Sequence, residues 1–193
     1  MDHYQEITLI PQMELSTYII WTKLYQKLHL SLVNIHANNI GISFPEYERL
    51  SENLYNCRLG NKLRIFSSTE DLQKLALSES FKYLKDYVHI SSIRSVPANI
   101  KEYGIYQRQQ FKSSPERLAR RSVKTGMATD FDSALKKYCK TVKMGTLPFI
   151  QLLSSSTGDH HFKLFIAKTV TKERVYGSFN SYGLSIGGCV PEF

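Results

Sequence analysis

Histidines are the side chains of this sequence best suited to moving a proton at neutral pH, because the imidazole group ordinarily titrates closest to that range. The chain has six of them: His3, His29, His36, His89, His160 and His161. The adjacent pair His160 and His161 lacks the i, i+4 spacing of a helical metal site, and no cysteine or carboxylate cluster accompanies it. We therefore expect no metal and no cofactor. A single helical histidine such as His29 is more often structural than catalytic, so residue type alone leaves its role open.

A run of hydroxyl side chains, S-S-S-T-G at residues 154–158, lies between two predicted strands. Clusters of Ser, Thr and Gly between two strands are typical of loops, so this run by itself is only weak evidence for a catalytic site. The sequence contains neither a G-x-S-x-G elbow nor a P-loop lysine pattern. Nothing in the motifs therefore indicates a serine hydrolase or a nucleotide hydrolase.

A basic face is predicted on a helix over residues 114–125. The surrounding segment S-S-P-E-R-L-A-R-R-S-V-K-T-G (113–126) offers a serine cap, a proline for the first turn and a glycine stop. Four cations at i, i+3, i+4 and i+7 share one face and are called here the basic stripe: Arg117, Arg120, Arg121 and Lys124. Neighbouring like charges on a helix destabilise it by about 0.2–0.5 kcal/mol per pair, which an external anion would relieve. A solvated helix face is the alternative, but the basic surroundings favour phosphate binding.

The segment just upstream, Y-G-I-Y-Q-R-Q-Q-F-K (103–112), has the composition of an extended strand. A period of two places Arg108, Gln110 and Lys112 on the same side as Tyr106. Arginine can bind the O6 and N7 atoms of guanine with two hydrogen bonds, and glutamine can bind base edges in a similar way. The segment is therefore either a surface that reads bases or an ordinary exposed strand.

The distribution of charge favours a polyanionic partner. The formal net charge is +8 and the pI is about 9.3. Residues 101–150 contain eleven basic and four acidic side chains, a net of +7. Nucleic acid or an anionic membrane surface would suit such a patch. No run of about 18 apolar residues and no secretory signal pattern is present, so we expect a soluble, intracellular protein.

The hydrophobic pattern predicts an α+β protein of two domains. Residues 1–97 follow the order β-α-β-β-α-β of a ferredoxin-like domain. Its first helix, over residues 14–36, carries Leu24, Leu28 and Leu32 at helical spacing.

The second helix of this domain is predicted to be capped by Ser68 or Thr69 and to run toward Leu84, before a strand over residues 88–96. Residues 98–193 are predicted to form a smaller α+β domain with the basic helix, a second helix and strands near 148–153 and 161–169.

Short motifs spread over nearly the whole chain are similar to those of a known family. They are M-D-H-Y (1–4), K-L-H (27–29), G-I-S-F-P (41–45), L-R-I (63–65), K-S-S-P-E-R-L-A-R-R (112–121), L-P-F (147–149), S-x-S-T-G (154–158), F-K-L-F-I (162–166) and Y-G-L-S-I-G-G (182–188). In this order they resemble the CRISPR-associated pre-CRISPR-RNA processing endoribonucleases of type I-F systems, the Csy-type branch of the Cas-six nucleases.

The resemblance implies a metal-independent endoribonuclease that binds the CRISPR repeat stem-loop and cuts at the 3′ base of the stem. The 2′-hydroxyl attacks the adjacent phosphorus, leaving a 2′,3′-cyclic phosphate and a 5′-hydroxyl, and the protein retains the product. It also implies a cytoplasmic protein whose partners are this RNA and other subunits of the type I-F surveillance complex, with no membrane and no small-molecule substrate. A non-catalytic subunit that only holds the stem-loop is the alternative.

The resemblance also implies roles for three catalytic residues. His29 is the general base, Ser154 holds the 2′-hydroxyl in line for attack, and Tyr182 orients the histidine.

The remaining implied contacts are with RNA. Arg108 and Gln110 read guanines in the lower stem, and Phe162 stacks beneath the terminal base pair. Lys112 and the basic stripe bind the stem, the stripe from its major groove.

Overall fold

The computed structural model describes residues 1–36, 38–49, 57–110, 115–141, 147–153 and 161–193. These residues form two compact units, of which the first combines Met1–Gln109 with Leu147–Phe193 and the second spans Gln110–Thr146. The strands are β1 (His3–Leu9), β2 (Gly41–Ser43), β3 (Glu48–Arg49), β4 (Cys57–Arg58), β5 (Lys62–Ser67), β6 (Val88–Ile90), β7 (Arg94–Ser95), β8 (Glu102–Gln109), β9 (Phe149–Leu153), β10 (His161–Thr171) and β11 (Val190–Glu192). The α-helices are α1 (Thr17–Asn34), α2 (Thr69–Leu75), α3 (Leu77–Ser80), α4 (Pro115–Lys124) and α5 (Phe131–Thr141), with a short 3₁₀ turn at Lys82–Leu84.

Helices combined with antiparallel sheets confirm the predicted α+β class. In the first unit, one sheet has the order β2-β5-β1-β6, and β7 also pairs with β1. Ile7 on the central strand β1 lies opposite Leu63 of β5 and Ile90 of β6. Every second residue of β1 from Gln5 to Leu9 is buried, as expected for a strand with one face on the core. No helix in the described ranges is long and apolar enough to cross a membrane.

Helix α1 confirms the first predicted helix and lies inside the predicted range of 14–36. Its buried side chains are Ile20, Trp21, Leu24, Tyr25, Leu28 and Leu32. They follow the helical period and join Ile7, Leu63 and Ile65 in one hydrophobic core. Because burial of a leucine-sized side chain contributes about 1.5–3 kcal/mol, this face holds firmly the helix that carries His29.

The second predicted helix is broken, and the expectation of one helix running to Leu84 was wrong. Ser68 caps α2 as predicted, since its hydroxyl accepts a backbone hydrogen bond from the first turn. The break occurs at Ala76, which has a left-handed φ of 43°. Leu75 and Leu77 are both buried, but residues two apart point to nearly opposite sides of a continuous helix. Ending α2 and starting α3 lets both side chains reach the core.

The strand predicted over residues 88–96 is divided into β6 and β7, which pair with opposite ends of β1. Between them, Ser91 keeps contact with β1 through its side chain and backbone. Its Oγ accepts from the N–H of Glu6, and its own N–H donates to the Glu6 carbonyl, both at 2.9 Å. The serine thus interrupts the strand without separating it from the sheet.

The second sheet of the first unit has the antiparallel order β11-β8-β10-β9, so β9 is an edge strand. Strands β9 and β10 confirm the two strands predicted near 148–153 and 161–169. This sheet shares the core with the first sheet, because Tyr106 of β8 belongs to the same hydrophobic cluster as Ile7 and Ile65. The buried Tyr106 hydroxyl lies 3.1 Å from the Phe44 carbonyl and 2.7 Å from Oε1 of Glu192. The compact units consequently divide at Gln109 and Leu147. The proposed division of roles between domains 1–97 and 98–193 stays a prediction.

The second unit contains helices α4 and α5, joined by a short turn. Pro115 is the first residue of α4, and Gly126 follows its end with a left-handed φ of 72°, as the sequence pattern predicts. The two serines expected to cap this helix lie outside the described residues. Asp130 immediately precedes α5 and caps it, because its Oδ1 accepts from the N–H of Ser133 at 2.8 Å. This hydrogen bond lowers the pKa of the Asp130 carboxyl.

Candidate active site

His29 lies on α1 directly after the buried Leu28 and is itself half-buried. Its Nδ1 is 2.8 Å from the backbone oxygen of Ser181. Because a carbonyl oxygen can only accept a hydrogen bond, Nδ1 carries the hydrogen and donates it. In the neutral ring, Nε2 is then left with its lone pair. The hydrogen bond thus selects the tautomer in which Nε2 can accept a proton.

The ring of Tyr182 lies flat against the His29 imidazole. Their centroids are 4.1 Å apart and their planes differ by 11°. The stack fixes the plane of the imidazole, and the hydrogen bond to Ser181 fixes its rotation within that plane. A hydrogen bond and a ring stack, made by two consecutive residues, therefore orient His29.

Tyr182 belongs to a turn from Asn180 to Leu184. The side-chain oxygen of Asn180 accepts hydrogen bonds from the N–H groups of Tyr182 at 2.9 Å and Leu184 at 3.1 Å. Gly183 has a φ of 73°, and a Cβ there would lie 2.7 Å from Cγ2 of Ile42. The turn therefore depends on glycine at this position, both for its backbone conformation and for its close contact with β2.

A second side chain of α1 contacts the same turn. The hydroxyl of Tyr25 donates to the backbone oxygen of Tyr182 at 2.8 Å. Burial raises the pKa of Tyr25 well above its ordinary value, so the hydroxyl stays protonated. Tyr25 and His29, one helical turn apart, thus donate to two consecutive carbonyls of the chain.

Arg108 and Phe162 lie beside the stacked rings. The Cζ atom of Arg108 is 5.5 Å from the ring centroid of Phe162 and 5.6 Å from that of Tyr182. The rings of Phe162 and Tyr182 meet edge to face, with their centroids 6.4 Å apart. These are cation–π distances, and Arg108 is otherwise exposed on β8. The structure thus brings together four predicted site residues: His29, Tyr182, Arg108 and Phe162.

The end of β9 is held by helix α1. The N–H of Leu153 donates to Oε1 of Gln26 at 3.0 Å, and Nε2 of Gln26 donates to the Leu153 carbonyl at 3.3 Å. These backbone groups lie on the free side of an edge strand, so the carboxamide takes the place of a neighbouring strand. Ser154, the next residue, lies outside the described residues, and its predicted role is untested.

The other predicted RNA-binding residues that the structure describes, Gln110 and the basic stripe, belong to the second unit. All four cations of the basic stripe are exposed on α4, and the buried residues of that helix are Ala119 and Ser122. Gln110 is exposed and belongs to the second unit. Lys112 lies outside the described residues. In the ranges that the structure describes, no three His, Cys, Asp or Glu side chains are grouped to hold a metal ion.

Sequence reasoning missed Tyr25 and Asn180, which support the turn beside His29, and Gln26, which holds the end of β9. Tyr25 has the spacing of a core residue, and its partner Tyr182 is 157 residues away. The partner of Gln26 is 127 residues away. Only the turn had a local signal, because Asn180 followed by Gly183 is a pattern typical of turns.

A family model described as CRISPR-associated protein (Cas_Csy4) matches residues 4–193 of the chain. The chain belongs to this family. Relatives named CRISPR-associated endonuclease Cas6/Csy4 include one from Escherichia coli (strain UTI89 / UPEC), 38% identical over 195 residues, and one from Pseudomonas aeruginosa (strain UCBPP-PA14), 38% identical over 197 residues. Each match covers 100% of this chain and 100% of the relative. A solved structure titled "An RAMP protein binding different RNA substrates" is similar over 98% of this chain and 100% of its own, with 11% identity and a TM-score of 0.34.

Membership of the Cas_Csy4 family confirms the resemblance inferred from the ordered motifs. The matched span contains the four clustered site residues and the whole basic stripe.

Proposed function

We propose that this protein is a metal-independent endoribonuclease that binds the repeat stem-loop of CRISPR RNA and cuts at the 3′ base of the stem. The observation that carries the proposal is the orientation of His29 by Ser181 and Tyr182, with Nε2 available as a base. Full-length relatives named as CRISPR-associated endonucleases support the same activity.

The proposed reaction needs a base for a ribose hydroxyl. Nε2 of His29 takes the proton of the 2′-hydroxyl, and the 2′-oxygen attacks the adjacent phosphorus. The bond from phosphorus to the 5′-oxygen breaks, and that oxygen takes up a proton. The products are a 2′,3′-cyclic phosphate and a 5′-hydroxyl, and no water is consumed. Ser154 holds the 2′-hydroxyl in line, and Tyr182 maintains the plane of the imidazole.

The proposed recognition of RNA uses residues next to the base and residues of the second unit. Arg108 and Gln110 read guanines of the lower stem, and the exposed guanidinium of Arg108 supports this role. Phe162 stacks beneath the terminal base pair. Lys112 and the basic stripe bind the stem, and the exposure of four cations on one helix face supports phosphate contacts there.

We further propose that residues 1–97 form a ferredoxin-like domain and residues 98–193 an RNA-binding domain. The sheet order β2-β5-β1-β6, with helices in the connections from β1 to β2 and from β5 to β6, supports the first assignment. After cleavage the protein retains the RNA and joins other subunits of the type I-F surveillance complex in the cytoplasm.

The test of this function is to incubate the protein with an end-labelled cognate repeat RNA in excess EDTA. We expect one cut at the 3′ base of the stem, with a cyclic phosphate on one product. A requirement for added divalent metal would contradict the acid–base mechanism. Tight binding without a cut would instead indicate a subunit that only holds the stem-loop.

A substrate with deoxyribose at the scissile position provides the matched control. It lacks only the attacking hydroxyl, so it should bind as tightly as the all-ribose RNA and stay intact. Cleavage of this substrate would exclude the 2′-hydroxyl as nucleophile. Equal affinity for unrelated duplex DNA would point to a general nucleic-acid binder.

Tyr182 should act through its ring rather than through its hydroxyl, because the contact with His29 is a face-to-face stack. We expect Tyr182→Phe to cleave at close to the wild-type rate. Tyr182→Ala removes the surface that fixes the imidazole plane and should slow single-turnover cleavage by roughly tenfold to a hundredfold. Equal rates for the phenylalanine and alanine variants would show that the stack does not matter.

A further inference from the structure

The His29 imidazole is oriented by a backbone carbonyl that itself belongs to a turn. Ser181, which accepts from Nδ1 of His29, immediately precedes Tyr182, whose ring stacks on the same imidazole. The orientation of the ring is therefore only as well defined as the position of this two-residue segment.

Tyr25 makes a second contact between this segment and α1, in addition to the hydrogen bond from His29. Its hydroxyl donates to the carbonyl of Tyr182 at 2.8 Å, and its side chain is completely buried. One peptide unit before that carbonyl, the Ser181 oxygen accepts from His29. Because residues four apart lie on the same face of a helix, the two donors project from α1 side by side.

The ring of Tyr25 is fixed in its turn by the core. It stacks on Phe44 with an interplanar angle of 18° and a centroid distance of 6.3 Å. A hydroxyl on a ring held in this way has little freedom to move, so its partner carbonyl is held as well. Water cannot replace the hydroxyl at a completely buried position without opening the core.

We propose that Tyr25 is a positioning residue for the base. By holding the Tyr182 carbonyl, its hydroxyl keeps the Ser181 carbonyl and the Tyr182 ring where they orient His29 and select its Nε2 as the free nitrogen. Tyr25 is itself buried and acts only through these groups, without touching the substrate. The inference rests on the proposed function for its effect on cleavage, whereas its effect on the tautomer of His29 is independent of that function.

The test is Tyr25→Phe, which removes one hydroxyl and keeps the ring that packs on Phe44. Tyr106→Phe is the matched control, because Tyr106 is also a buried tyrosine whose hydroxyl lies near a backbone carbonyl, that of Phe44. Both variants should lose thermal stability, and Tyr106→Phe also loses the contact of its hydroxyl with Oε1 of Glu192. Only Tyr25→Phe should slow single-turnover cleavage, by roughly tenfold or more, with an unchanged Kd for the repeat RNA.

The tautomer of His29 provides the second readout and can be observed without RNA. Long-range ¹H–¹⁵N spectra of the ring, assigned by their loss in His29→Ala, should show Nδ1 protonated in the wild type and in Tyr106→Phe. In Tyr25→Phe we expect a mixture of the two tautomers. If Tyr25→Phe kept the wild-type tautomer and rate, or if Tyr106→Phe slowed cleavage equally, the positioning role would be excluded.

A second variant covers the case in which Tyr25→Phe does not fold. Asn180→Ala removes the oxygen that accepts from the N–H groups of Tyr182 and Leu184, and so loosens the same turn from its partly exposed side. Like Tyr25→Phe, it should change His29 from the tautomer protonated at Nδ1 to a mixture of both tautomers, and an unchanged tautomer would overturn the proposal. A wild-type protein that never cuts RNA would contradict the proposed function but leave this comparison of tautomers intact.

Discussion

Replacement of His29 by alanine is expected to slow cleavage of the repeat RNA by about 10²- to 10⁴-fold, the usual contribution of a positioned base. Binding should stay close to that of the wild type, because the polar contact described for this ring is with the protein's own Ser181 carbonyl. The measurement is a single-turnover rate at saturating protein, with the Kd determined separately on the deoxyribose substrate.

His89→Ala is the matched control for this substitution. His89 lies on β6 and is exposed, so its removal changes the histidine count without touching the stacked rings. It should cleave and bind like the wild type. A thermal melt of both variants separates a loss of chemistry from a loss of folded protein. Wild-type cleavage by His29→Ala would remove the histidine from the mechanism, and a parallel loss of binding would make it an RNA contact instead.

The parts of the molecule that the sequence predicted well are those governed by local rules. Helix α1 follows from leucines at helical spacing, and α4 ends at Gly126, where a left-handed residue is needed. The exposed stripe on α4 follows from the same spacing, since its four cations recur within two turns. In each case the energetic preference belongs to neighbours within a few residues, so it can be recognised without tertiary structure.

The geometry of the candidate site depends on contacts between distant residues, and no local rule predicts them. The carbonyl that selects the tautomer of His29 is 152 residues away in the chain. Motif matching indicated His29 and Tyr182 as site residues, but it did not indicate that Arg108 lies near the ring stacked on the imidazole. The break at Ala76 was missed for the same reason, because burial of both Leu75 and Leu77 outweighs the tendency of that segment to continue as one helix.

The basic stripe should control the salt dependence of RNA binding. Replacing its four cations together with glutamine keeps the helix-forming tendency of α4 and removes four positive charges. Each phosphate that the variant no longer neutralises reduces the magnitude of the slope of log K against log salt by about 0.7–0.9, so the loss of four such contacts should reduce it by about 2.8–3.6. The affinity at low salt should fall steeply, whereas the rate of cleavage at saturating protein should change little. Binding measured at several salt concentrations gives both the slope and the affinity at low salt.

The same substitution should have a much smaller effect on the free protein than on RNA binding, and this distinguishes a binding surface from a structural one. Removing neighbouring like charges relieves about 0.2–0.5 kcal/mol of repulsion per pair, so the melting temperature without RNA should change far less than the affinity for RNA. The matched control replaces four exposed lysines outside residues 101–150 with glutamine, Lys23, Lys74, Lys85 and Lys172, and so has the same net charge. If the control lowered the salt slope as much as the stripe variant, binding would depend on total charge. An unchanged slope in the stripe variant would make α4 a solvated helix with no phosphate partner.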